Sequence, residues 1–119
     1  MDMAEDRKLV VQFEGLDDAA ANQAAIALEE HLVTVTGGEL QSRRHKAREG
    51  TQDAGTLVEI LNTAVPLALA TGIGKGIHDF LRMRGSRITV YESGKVVATG
   101  DAASFDPAAV VSALQRDKQ

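Results

Sequence analysis

Residues 55–73 read GTLVEILNTAVPLALATGI, an almost wholly apolar run broken only by Glu59 and Asn62. The run is followed by Gly74, Lys75 and Gly76, and then by FLRMRGSRITVYESGKVV, residues 80–97. An ordinary surface helix keeps one polar side, and this stretch has none. Read as one element, it predicts a helix from Thr56 to near Arg82 with a kink at Pro66. Proline removes one backbone hydrogen bond and clashes with the preceding turn. The glycines at 72, 74 and 76 are expected to loosen it again. Such a helix needs cover on nearly every side, from its own domain, from a partner chain or from lipid.

Working outward, KLVVQFE at 8–14 predicts a strand that ends at Gly15. Asp17 or Asp18 is placed to cap a helix over about 18–33. Its apolar stripe is Ala21, Ala24, Ala25, Leu28 and Leu32, widened by Ile26. Gly37 and Gly38 break the chain. ELQSRRHK at 39–46 predicts a polar edge strand, whose charges discourage edge-to-edge pairing. Residues 47–55 are expected to be a loop. RITVYE at 87–92 and KVVAT at 95–99 predict a hairpin around Ser93-Gly94-Lys95. Asp106-Pro107 predicts the cap and first position of a last helix.

The expected order is therefore β-α-β-α-β-β-α. That is an α+β chain, a two-layer sandwich with helices packed on a small mixed sheet and a C-terminal β-hairpin. The first β-α-β unit is expected to be parallel and right-handed. The 119 residues fit one domain at 8–119 behind a flexible tail at 1–7.

Composition narrows the function classes. Aromatics are 3% with no Trp, so the core is aliphatic and a base-stacking surface is not expected. The net charge of -4 argues against nucleic acid as a partner. There is no Cys, hence no disulfide or thiolate metal site. The polar, acidic start MDMAEDRK does not resemble a signal peptide, and a cytoplasmic setting is expected. The apolar run has the length of a membrane span, but Glu59, Asn62 and Pro66 suit hydrocarbon poorly.

No catalytic, cofactor or metal set emerges, and none is expected. TGIGKG resembles part of a phosphate loop, yet Leu69 and Gly76 stand where that motif needs Gly and Ser or Thr. His78 and Asp79 are adjacent on a helix and do not face each other. No serine sits in a G-x-S-x-G elbow. Charge, by contrast, is segregated. Nine acids precede residue 40, and two basic clusters follow: Arg43, Arg44, Lys46, Arg48, and Lys75, Arg82, Arg84, Arg87. Such a dipole steers one protein onto another or onto its own copy. Ala64, Ala68, Gly72 and Gly76 form a four-apart row that would admit a close backbone.

Taken together, the first strand, the Ala/Leu-rich helix, the apolar stretch opening Gly55-Thr56-Leu57, the FLRMRGSRITVYESGKVV segment and the short apolar last helix resemble the effector-associated constant component family of bacterial conflict systems. The chain departs from that pattern at Ser93-Gly94-Lys95, where a Pro-Asp-Gly type of turn is usual, and at Phe80, where Trp is expected. The resemblance implies a non-enzymatic adaptor for defence, paired with an effector such as a protease or an NTPase-linked protein. It implies no catalytic residue. The expected interface, in a homo-oligomer, comprises Leu57, Leu61, Val65, Leu69 and Ile73 with Arg82, Arg84 and Arg87. The competing classes are a membrane-active module inserting residues 56–76 after a trigger, and a small ligand-binding domain or enzyme.

Overall fold

The computed structural model describes residues 9–46, 56–61, 65–92 and 94–115. The expected tail at 1–7 and loop at 47–55 lie outside them. Strand β1 (Leu9–Phe13) alternates cleanly: Leu9, Val11 and Phe13 are buried, and Val10 and Gln12 turn to the other face. Helix α1 (Asp18–Val35) starts on Asp17, whose Oδ1 accepts the Ala20 amide at 2.8 Å. Its buried residues are Ala21, Ala24, Ala25, Leu28 and Leu32, the stripe that helical spacing predicts. Strand β2 (Ser42–Lys46) is the polar edge strand.

The run at 55–73 is two elements rather than one. Residues Thr56–Ile60 form strand β3, and helix α2 covers Leu67–Arg84. The physical reason lies in two local features. Val58 and Ile60 are buried while Glu59, between them, faces away to meet Arg43, so the period is two. Pro66 then pushes the residue before it out of the helical region, and its own φ of -61° opens the helix. Proline thus starts α2 instead of kinking it. The helix runs unbroken through its three internal glycines and stops at Gly85, which adopts φ 67°.

Strands β4 (Ile88–Glu92) and β5 (Lys95–Gly100) form the expected hairpin, with a bulge beside Val90 and Tyr91. Helix α3 (Pro107–Gln115) begins on Asp106, whose Oδ1 accepts the Ala108 amide at 3.0 Å.

The sheet order is β2-β3-β1-β4-β5, and every neighbouring pair is antiparallel. The anticipated mixed sheet is therefore antiparallel throughout. β1 and β2 do run the same way, as a β-α-β unit requires, but β3 lies between them. β3 and β4 likewise flank β1. Two interlocked split β-α-β units of this kind define the ferredoxin-like arrangement, here extended by β5 and α3. The three helices form one layer over one face of the sheet, and a single aliphatic core with Phe13, Phe80 and Phe105 fills the space between.

Candidate functional site

The eight residues expected to form an interface fall into three groups. Val65, Leu69 and Ile73 are core residues, between 0% and 7% exposed, so they cannot contact a partner in this fold. The all-round apolar helix that placed them outside does not exist. Leu57 and Leu61 are half-buried. Leu57 lies on the sheet face opposite the helices, opposite Gln12 in the register. Arg82, Arg84 and Arg87 are exposed. Arg84 lies over the Phe80 ring, 5.7 Å from its centre, and Arg87 pairs with Glu14 at 3.4 Å. Arg82 has no ion pair among the described residues. Between the two arginines, Met83 is 65% exposed.

The small residues of α2 serve packing within the chain. A Cβ at Gly76 would stand 2.7 Å from Leu32 and 2.9 Å from Val35, both on α1. A Cβ at Gly74 would stand 2.9 Å from the Pro107 carbonyl oxygen, at the start of α3. The glycines of TGIGKG therefore let α2 sit closely between two other helices. Gly72 and Gly76 of the four-apart row face α1, Ala68 is exposed, and Ala64 lies outside the described residues.

Arg43 and Arg44 of the first basic cluster are spent on the fold. Arg43 meets Glu59 at 2.7 Å, and Arg44 meets Glu29 at 2.7 Å. The Ser42 hydroxyl donates to the same Glu29 at 2.7 Å, so β2 is clipped to both α1 and β3. At the other end of the sheet, Glu14 accepts hydrogen bonds from Thr89 and Thr99.

Beside the Ser42–Glu29 contact lies an open groove of about 670 Å³, between the last turns of α1 and the start of β2. Val33, Leu40 and Leu61 supply its apolar surface, and Glu29 and Glu30 its acidic rim. Glu29 is engaged by Arg44 and Ser42, whereas Glu30 is exposed and has no ion pair among the described residues. The groove was not legible in the sequence, because three elements from separate places in the chain build it. The one local sign was Val33, an apolar residue beside the acidic pair on α1.

The histidines do not gather. His78 donates from Nε2 to the Ala102 carbonyl at 2.9 Å, which ties α2 to the segment before α3. His31 packs against Phe80, and its Nε2 has no hydrogen-bond partner among the described residues. Among the described residues no three metal-ligating side chains converge. Near α3, Asp101 is held below the usual carboxylate range by the Ser104 hydroxyl first, then by the Ala103 and Ser104 amides, with Arg87 adding its charge. No helix of the described residues is long and apolar enough to cross a membrane.

The fold and these surfaces define a small α+β domain with a split β-α-β sheet, an acid-rimmed groove on one flank and an exposed basic turn at the end of α2. Compared with protein-family models, curated proteins and solved structures, the chain has no significant match in any of the three.

Proposed function

We propose that this chain is a non-enzymatic protein-interaction module, an adaptor of a bacterial conflict system that joins an effector to a sensor in the cytoplasm by self-association or partner binding. The resemblance to the effector-associated constant component family supplies the biological setting. The observation that carries the reading is the groove beside β2. It offers apolar surface from Val33, Leu40 and Leu61 at an acidic rim, which suits a basic, partly apolar protein segment. The exposed Arg82, Met83 and Arg84 form a segment of that chemistry at the end of α2. Complementary charge of this kind sets partner choice and encounter rate more than raw affinity.

Light scattering tests the reading at tens of micromolar, about the range where weak interfaces dissociate. The expected mass exceeds that of one chain, or rises when the effector encoded beside it is added. A single species at 12.6 kDa that ignores that effector would contradict the adaptor reading.

A further inference from the structure

We propose that the groove beside β2 receives the Arg82–Met83–Arg84 turn of a second copy of this chain, so that copies join head to tail. The inference deepens the self-association reading and rests on it.

Three observations select this occupant. The first is the match of surfaces. Met83 is the most exposed large apolar side chain among the described residues, at 65%, and an exposed arginine stands on each side of it. The groove presents the counterpart: apolar Val33, Leu40 and Leu61 beside Glu30. The second is the charge left over after folding. Arg44 and Ser42 already satisfy Glu29, and Arg43 is already paired with Glu59. Glu30 and Arg82 remain without ion pairs among the described residues, one on each surface. The third is position. α1 and α2 run antiparallel: Gly72 lies by Val35 and Thr36, while Phe80 lies by His31. The groove therefore opens on the β2 flank of α1, and the basic turn belongs to the end of α2, so the two are separate surfaces. A reciprocal two-fold pair would seat both turns in both grooves at once, whereas the head-to-tail contact seats one turn in one groove and leaves one of each free on every dimer. Rings or open chains follow, according to whether the rotation closes.

Glu30→Arg disables the groove, and Arg82→Gln with Met83→Ser disables the turn. All three side chains are exposed, so thermal melts should match the wild type. In sedimentation velocity, each variant should weaken self-association by about tenfold or more. The two variants move net charge in opposite directions, so a response governed by total charge would strengthen one of them. Lys75→Glu, exposed on α2 but two turns before the basic turn, should leave association near the wild-type value. Mixing the groove variant with the turn variant leaves one intact groove and one intact turn. The mixture should give a dimer that grows no further. Wild-type association that neither variant weakens, or a mixture that yields no dimer, would overturn the head-to-tail contact while leaving the adaptor reading standing. A wild type that binds an effector but never itself would overturn it as well. A wild type that binds neither would sink both.

Discussion

The two ends of α2 differ in what they do. Its first three turns carry Leu69, Ala70, Ile73, Gly74, Gly76 and Ile77, all buried among α1, α3 and the sheet. Its last turn carries Arg82, Met83 and Arg84, all exposed. One continuous helix thus spends most of its apolar residues on the fold, the exposed Leu67 excepted, and offers Arg82, Met83 and Arg84 to solvent. Hydrophobic content marked the first end as an association surface, and it proves to be core. The surface that α2 itself offers for association is smaller, charged and at its last turn. Stability and association should therefore separate along the helix, and variants along it can break that separation or sharpen it.

The largest effect belongs to the buried end. Ile73→Ala empties a site of 0% exposure and should lower unfolding free energy by about 2–5 kcal/mol in urea titrations. Next come the glycines. Gly74→Ala drives a Cβ onto the Pro107 carbonyl, a backbone atom that cannot swing aside, and should cost about 1–3 kcal/mol. Gly76→Ala meets the side-chain ends of Leu32 and Val35 instead and should cost less. The opposite order would show that α2 and α3 do not approach as closely as the structure has them.

A smaller contrast separates the two basic clusters. Arg43→Ala breaks a 2.7 Å pair with the mostly buried Glu59 and should cost about 1 kcal/mol or less, since the arginine is half in water. Arg82→Ala breaks no pair among the described residues and should leave the melting temperature unchanged. Equal losses would erase the distinction between an arginine used in folding and one left without an ion pair among the described residues.

The smallest effect concerns Asp101, which steadies the turn between β5 and α3. Its carboxyl is more acidic in the folded chain than in the unfolded one. The stabilisation is therefore present above the unfolded value and is lost as pH falls through the folded one. Asp101→Asn keeps the accepting oxygen and removes the titration. Its thermal stability should fall less steeply than the wild type below about pH 4. Identical slopes would show that this turn contributes nothing to acid sensitivity.

Much of this architecture was legible locally. Asp17 and Asp106 cap their helices as their positions before apolar periodic runs suggest, and the 88–100 hairpin follows β-branched runs around Gly94. The failure at 55–73 was one of period. A short apolar strand and a buried helix look alike when both lie inside the core. Pro66 disrupts a helix interior but suits a helix start, and the sequence alone does not say which position it holds. Treating 56–60 as helix removed a strand from the count, and with it the antiparallel partner that sits between β1 and β2. The site was less legible still. Which arginines are free depends on Glu29 and Glu59 reaching β2 from elements 13 and 16 residues away, and on a groove that exists only once three segments meet.

On the head-to-tail proposal, association runs through charge at the exposed end of α2 rather than through the apolar run before it. Sedimentation velocity of the wild-type chain across a salt series tests this most directly. Exposed ion pairs are screened as ionic strength rises, with a Debye length of about 10 Å at 0.1 M and about 3 Å at 1 M. Assemblies larger than 12.6 kDa are expected at low salt, dissociating as salt is added. Assemblies that hold or strengthen in high salt would contradict it and return the contact to an apolar surface.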